Sequence, residues 1–437
     1  MSQPPRIAIL GAGPAGSALA ALLAKQGIKT LVYDDEKRPA LLVGESLIPA
    51  IVAILQRMGI EDRVAKISQF KPGASFIHHL GTRMNFNFRS VEGRLPPYAY
   101  NVPRPAFDDV LKDYAKELGV TFVKHRAGLV AKPGGKPGGK PGGKPELELD
   151  ADALEAGGYR DGAKPDLIID CSGRARTSAK LLGIKAATGP RRDTAHFAHF
   201  HGIEHPYEPG QIVIMYHPWG WSWRIPLPDK LSFGMVMNPK ALPEFGANGE
   251  ERLDKVLATD PVLAPLAVNR KRVTDVFTYT NYQLISDRAQ GPGWVSAGDA
   301  FGFVDPMLSP GVFLALDSAE ALSGMFAKHG EKLLDAPELL AKELERYEKR
   351  QRAWHEAWHE LIEYFYDGRI VAFYERGTQL SKDYPGRFSN MMEWISNRVI
   401  ALMATGAGTL SFWNRMYLKG CSKWLLNGDR AKDLALP

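Results

Sequence analysis

The chain has 437 residues and a mass of 48.2 kDa, with 45% hydrophobic, 10% aromatic and 24% charged residues and a net charge of +6. That composition excludes disorder, collagen and coiled coil as global descriptions, and the length exceeds a small binding module, leaving room for two or three packed units around a sizeable cofactor. Four of the 55 basic residues, Lys132, Lys136, Lys140 and Lys144, fall in one Gly/Pro repeat, so most of the charge excess is local and a nucleic-acid groove has no support.

A short polar lead runs into Arg6-Ile-Ala-Ile-Leu10 without a secretory apolar core, and Cys171 and Cys421 are the only cysteines. A soluble protein of the reducing cytoplasm is expected, with no disulfide framework or cysteine-rich metal site. No run approaches the roughly 18 apolar residues of a membrane span, the stretch Val399 to Ala407 being too short. In chain order, Ile7 to Leu10 reads as a buried strand, Gly11 to Gly16 as a glycine turn, Pro14 to Lys25 as a helix ending at Gly27, and Thr30 to Tyr33 as a second strand, together a βαβ unit. Gln69 to Phe88 alternates like hairpin strands and Phe107 to Leu118 like an amphipathic helix. Lys132 to Pro145 is a Lys-Pro-Gly-Gly repeat and reads as a flexible loop tip between strands. Leu167 to Asp170 returns to a buried strand, Thr194 to Met237 alternates as an antiparallel sheet, and a second glycine turn follows Gly298. The remainder is helical in pattern and rich in aromatics, including Trp354, Trp358, Tyr366, Trp394, Phe412, Trp413 and Trp424, and is expected to cover the sheet or cap a pocket.

Gly11-Ala-Gly-Pro-Ala-Gly16 between a strand and a helix is the context in which GxGxxG signals a dinucleotide. Gly11 permits the tight turn, Gly13 lets backbone approach a pyrophosphate and Gly16 allows close helix packing, while the helix start supplies N–H groups and positive dipole. Asp34, with Asp35 as fallback, is placed to accept from a ribose hydroxyl. This motif leaves FAD and NAD both open.

Several separated segments carry a resemblance: the first glycine turn, Gly44-Glu45-Ser46-Leu47, Val102-Pro-Arg104-Pro-Ala-Phe-Asp108, Asp170-Cys-Ser-Gly-Arg174, and Gly298-Asp299 with the turn after it. Through them most of residues 5–320 resembles the group A flavoprotein hydroxylases, and within these the flavin-dependent halogenases. Trp221-Ser-Trp223-Arg-Ile-Pro226 is similar to that family's WxWxIP pattern, and Lys71 before Pro-Gly-Ala looks like its catalytic lysine. The resemblance implies an α/β fold: a Rossmann-like FAD domain from 1–68, 101–185 and 285–330, an inserted antiparallel sheet domain from 69–100 and 186–284, and a helical C-terminal region over 331–437. It implies FAD held by the glycine turn, Arg104, Gly298 and Asp299, with Gly44, Glu45 and Ser46 near the isoalloxazine. Reduced FAD, O2 and a halide would yield hypohalous acid, which Lys71 polarises as an ammonium or captures as a haloamine for an electron-rich ring. Trp221, Trp223 and Pro226 would form a partition that prevents direct oxygen transfer, with Ser309 on the substrate side and halide near Pro310 and Gly311. Pro310 departs from the family turn because it has no N–H to offer a halide. Leu308 stands where tryptophan-type enzymes carry glutamate, which favours a phenol-like or pyrrole-like substrate, free or tethered to a carrier protein. A separate flavin reductase is the implied partner.

Plainer readings stand beside these. Trp221 and Trp223 share a strand face and also fit a core, and Lys71 also fits an everyday turn. An FAD-dependent monooxygenase or flavin-linked reductase acting on an aromatic or polyene is the alternative enzyme, and a non-catalytic carrier-docking flavoprotein the alternative class. His355-Glu-Ala-Trp-His359 matches the zinc HExxH string, but no third ligand is indicated and the helix has an ordinary packing stripe, so no metal is expected. His199 and His201 share a strand face that sheet packing explains, and alternation puts His78 and His79 on opposite faces.

Overall fold

A computed structural model describes residues 4–35, 43–132, 146–280, 283–424 and 428–437. Ile7–Leu10, Thr30–Tyr33 and Leu167–Asp170 are apolar runs buried along their whole length, which suits strands covered on both faces. They form the centre of a sheet ordered Gln290–Gly291, Trp294–Ser296, Leu167–Asp170, Ile7–Leu10, Thr30–Tyr33, Thr121–Val123, parallel except for its first pair. The helix Pro14–Ala24 crosses between the first two of these strands in sequence, and the chain returns to the sheet from distant segments. The result is α/β, with a mostly parallel nucleotide-type sheet and a second, larger sheet.

That second sheet is ordered Lys271–Arg272, Thr194–His201, Leu231–Met237, Gly220–Pro226, Ile212–His217, Gly73–His78, Arg83–Asn87, and Phe277–Thr280 also pairs with Thr194–His201. It is antiparallel as expected except where Ile212–His217 runs parallel to Gly73–His78, because that hairpin joins from an earlier part of the chain. The separation of His78 and His79 is not observed. Their rings stack 4.4 Å apart, since the strand ends at His78 and alternation no longer governs the next side chain.

Of the Lys-Pro-Gly-Gly repeat, only Lys132 lies among the described residues. It directly follows the strand Leu129–Ala131, which pairs antiparallel with Leu147–Leu149, and forms an ion pair with Glu148 at 2.5 Å. The 30-residue helix Pro337–Tyr366 lies across both sheets: Trp354 and Trp358 pack on Phe313, and Phe365 packs on Phe76. Its last residue reaches the strand Gly220–Pro226, where the Tyr366 hydroxyl accepts from Trp221 Nε1 at 2.8 Å and donates to Asp305 Oδ2 at 2.9 Å. Among the described residues, no helix is long and apolar enough to cross a membrane.

This tie is testable by deleting one oxygen. Tyr366→Phe leaves a buried indole N–H and a buried carboxylate each short of a partner, and stability is expected to fall by about 1–3 kcal/mol in urea unfolding with an unchanged m value.

Candidate functional site

The two sheets meet around a chamber with about 1160 Å³ of atom-free space, partly open to solvent. Its floor is the first glycine turn. Gly11 holds a φ of +105°, and a Cβ there would lie 2.5 Å from the Cys171 carbonyl oxygen. A Cβ on Gly16 would lie 2.0 Å from the Gly11 carbonyl oxygen, so that residue has to be glycine for the helix to sit this close to the strand. Gly13 is different: nothing lies within 4 Å of its missing Cβ, and it lines the chamber beside Pro14 and Ala15. A bare backbone facing open space at a helix start fits a pyrophosphate. Asp34 stands at the end of Thr30–Tyr33, as its sequence position requires, but its carboxylate is ion-paired with Lys112 and it is not part of the chamber lining. Asp35 is 4.0 Å from Arg126.

The opposite end of the chamber is polar. Arg104 is buried, donates to Asp108 Oδ1 at 3.2 and 3.3 Å and to the Val43 carbonyl, and lines the chamber with Asp299. A Cβ on Gly44 would fall 2.5 Å from Arg104 Nη1. Gly298, at φ +58°, donates its N–H to Ser318 Oγ and turns Asp299 inward. Burial pushes the Asp299 carboxyl up to about 6, against the pull of Arg104 and then Arg174, so a hydroxyl-rich ligand chain that donates to it is favoured. Glycine cradle, buried arginine and buried carboxylate together fit FAD.

Trp221 and Trp223 are successive inward residues of Gly220–Pro226, with rings 5.7 Å apart, and both line the chamber. Pro226, at the strand end, does not. Past the second glycine turn, Ser309 lines the chamber with a φ of +58°, Pro310 forms the N-cap of Gly311–His329, and Gly311 lines the chamber at the start of that helix. Pro310 contributes no N–H, but the first-turn amides of the helix have no intrahelical acceptor and carry the positive end of its dipole.

Lys71 ends the short strand Gln69–Lys71, paired with Ala99–Asn101, and is 2% exposed. Its Nζ donates to Ser46 Oγ at 2.6 Å and to the Leu47 carbonyl at 2.7 Å, and it lies 5.1 Å from the Phe88 ring centre. Lys71 is not in the chamber lining, whereas Ser46 is. The amine therefore sits behind Ser46, away from solvent, and the indoles belong to the chamber wall itself. Burial lowers its pKa from 10.5 to about 7.

Three features had no sequence signal strong enough to read. Glu45, beside Ser46, meets His199 Nε2 at 2.7 Å across the two sheets, which accounts for the histidine that a strand-face argument left to packing. Tyr366 and Asp305 orient Trp221 from 145 and 84 residues away in sequence, and Phe88 covers Lys71. The His355 ring nitrogens face the Gln351 and Gly302 carbonyls, His359 pairs with Glu363, and the described residues contain no group of three metal-ligating side chains.

A model of the tryptophan halogenase family matches residues 6–95 and 89–414. The chain belongs to this family of flavin-dependent halogenases. It is 27% identical over 413 residues to a tryptophan 2-halogenase of Chondromyces crocatus, covering 92% of this chain and 75% of that one. It is 26% identical to a 1H-pyrrole-2-carbonyl-[peptidyl-carrier protein] chlorinase of Pseudomonas fluorescens, over 73% of this chain and 74% of that one. A triple-substituted form of flavin-dependent brominase Bmp2 has the same fold, with a TM-score of 0.74 at 23% identity over 96% of this chain and 99% of that one. The monooxygenase or flavin-linked reductase alternative is not favoured by these relatives.

Two outcomes follow for the halogenase. Gly16→Ala is expected to lose about 1–3 kcal/mol because its Cβ meets backbone, whereas Gly13→Ala stays within about 1 kcal/mol in urea unfolding yet retains less FAD on gel filtration. Lys71 titrates near 7 when folded and near 10.5 when unfolded, so between those values the unfolded state binds more protons and stability rises with pH. The stability difference between wild type and Lys71→Met should therefore shift in favour of wild type from pH 7 to 10, by at most about 1.4 kcal/mol per pH unit. A pH-independent difference would show that the amine is not held this way.

Proposed function

We propose that this halogenase installs chlorine or bromine on an electron-rich phenol-like or pyrrole-like ring, with Lys71 as the residue that hands over the halogen. Residues 1–68, 101–185 and 285–330 carry FAD, 69–100 and 186–284 form the sheet unit, and 331–437 cap it. Reduced FAD, supplied by a separate flavin reductase, and O2 provide the oxidant that converts halide to hypohalous acid. Gly11, Gly13, Gly16, Arg104, Gly298 and Asp299 hold the nucleotide, and Asp34, at the end of the second strand, is the ribose candidate although Lys112 already pairs with its carboxylate. Gly44, Glu45 and Ser46 form the wall against the flavin ring. Ser309 and the helix start at Gly311 favour a halide, and Pro310 fixes the direction in which the chain enters that helix.

The observation that carries this reading is the amine behind Ser46. A lysine in water would be almost fully protonated at neutral pH, whereas one pushed to about 7 presents ammonium and free amine together. The ammonium form donates a hydrogen bond to hypohalous acid and polarises it, and the free amine is nucleophilic enough to take the halogen. Trp221 and Trp223, held by Tyr366 and Ser232, make one wall of the chamber apolar, and the ring substrate meets the halogen on the lysine side. Leu308, buried and uncharged, gives no base for an indole N–H, in keeping with a ring that activates itself. The relative that chlorinates a pyrrole on a carrier protein supports a tethered substrate as one form of delivery. The cytoplasm, where flavin reductases work, is the proposed location.

Mass spectrometry of a phenol and pyrrole panel incubated with a flavin reductase, NADH and each halide tests the reading. Products heavier by chlorine or bromine are expected, and products heavier by oxygen alone would overturn it. Lys71→Ala should reduce halogenation by at least about 100-fold, the usual scale of a positioned acid–base group, while oxygen consumption continues and hypohalous acid or peroxide accumulates. Normal halogenation by that variant would remove Lys71 from the mechanism.

A further inference from the structure

The helix Phe412–Trp424 carries large apolar residues on its outer face as well as on its inner one. A helix on a protein surface ordinarily turns its apolar stripe to the core and its polar residues to water. Here the inner side is fixed by Leu418, 3% exposed, by Tyr417, whose hydroxyl lies 2.8 Å from Ser396 Oγ, and by Arg415, which donates to Glu360 at 2.7 Å. The outward stripe is Phe412, Met416, Lys419 and Lys423, spaced four, three and four residues apart, with Trp413 beside it. Phe412 is 65%, Trp413 79% and Met416 47% exposed. On the neighbouring helix Arg387–Ala404, Met391 and Trp394 are a further i, i+3 pair turned to solvent, 48% and 60% exposed. Large aromatic side chains gathered on an outer face mark a surface that something covers.

We propose that this face docks on an anionic lipid bilayer, lying in the headgroup region without crossing it. Two observations select a lipid surface over a protein partner. Helix Phe412–Trp424 contains Arg415, Lys419 and Lys423 and no acidic residue, and its exposed lysines continue the same stripe that begins with the aromatics. Protein interfaces deplete lysine where they enrich aromatics, whereas interfacial helices combine tryptophan and phenylalanine at the acyl boundary with lysine at the phosphates.

The face is also joined to the site. Arg398, on the helix Arg387–Ala404, donates to the Ser90 carbonyl at 2.6 Å, in the turn Phe88–Val91 whose Phe88 covers Lys71. The end of the same helix accepts, at Thr405, the N–H of Ala50 at 3.2 Å, just after Leu47, the carbonyl partner of Lys71. A bilayer on this face adjoins the walls of the lysine pocket, which suits a lipophilic ring substrate. That consequence rests on the proposed halogenation, but the docking itself does not.

Vesicle flotation of the full chain provides the test. Binding is expected to vesicles of mixed phosphatidylcholine and phosphatidylglycerol, to weaken as salt rises, and to be slight with phosphatidylcholine alone. The double variant Phe412→Ser with Trp413→Ser, with circular dichroism and melting unchanged, should lose flotation. The double variant Lys419→Glu with Lys423→Glu should lose the preference for anionic vesicles by roughly fivefold per lysine or more. The proposal is overturned if wild type floats with neither vesicle, if the aromatic variant floats as well as wild type, or if sedimentation velocity shows a dimer that only the aromatic variant dissolves and vesicles do not compete for. None of these readouts involves turnover, so a chain that docks without halogenating, or halogenates without docking, is recognised as such.

Discussion

The site depends on four consecutive residues, Gly44 to Leu47, threaded where the two sheets and the amine pocket meet. Gly44 lies so close to Arg104 that a methyl group would collide with the guanidinium. Glu45 reaches across to His199 in the larger sheet, and its carbonyl accepts from Val102 at 2.7 Å. Ser46 turns one side to the chamber and its hydroxyl to Lys71, and the Leu47 carbonyl gives the lysine its second acceptor. Each neighbour of the chamber thus has its own contact with one short extended stretch. Its position is over-determined, as it has to be if an amine is to be held within a hydrogen bond of one wall without entering the chamber.

Holding that amine is unfavourable for the fold. A buried ammonium that donates to a serine hydroxyl and a backbone carbonyl and faces an aromatic ring recovers its lost hydration only in part, and the lowered pKa expresses the deficit. A core selected for stability alone would place leucine or methionine here. Strongly shifted groups of this kind gather where chemistry needs them, and Asp299, in the chamber lining, is shifted as well. The two differ in direction, one base made weaker and one acid made weaker, but the physical cause is the same removal of water, from the amine behind Ser46 and from the carboxyl in the chamber wall.

What the sequence made legible follows from how local each signal is. The glycine turn was readable because its constraints act within six residues, and Gly11 and Gly16 are indeed the two that admit no side chain. The alternation of Trp221 and Trp223 was readable because a strand has period two. The parallel junction of Ile212–His217 with Gly73–His78 was not, since strand direction in a sheet is decided by the path of the intervening chain. Asp34 shows the limit of position alone: it occupies the expected end of the second strand, yet the chain brings Lys112 to it from the distant helix Arg104–Glu117. The pairs Glu45 with His199 and Tyr366 with Asp305 join residues 154 and 61 positions apart, and no periodicity in one sequence registers such contacts.

The aromatic C-terminal region divides along the same line between local pattern and global placement. Helical spacing treats Trp354, Trp358, Trp394 and Trp413 alike, and each reads as a packing residue. The first two are buried against Phe313, where the long helix spans both sheets, and the last two are turned outward. What separates them is the other face of each helix. Pro337–Tyr366 lies across the two sheets and turns its indoles to Phe313, while most of its lysines, arginines and glutamates face outward. Phe412–Trp424 has its inner side occupied by Leu418, Tyr417 and Arg415, and that leaves Phe412 and Trp413 no position except the surface. An apolar residue is forced outward here by contacts that the same helix makes inward, so the exposed face is as much a product of the packing as the core is.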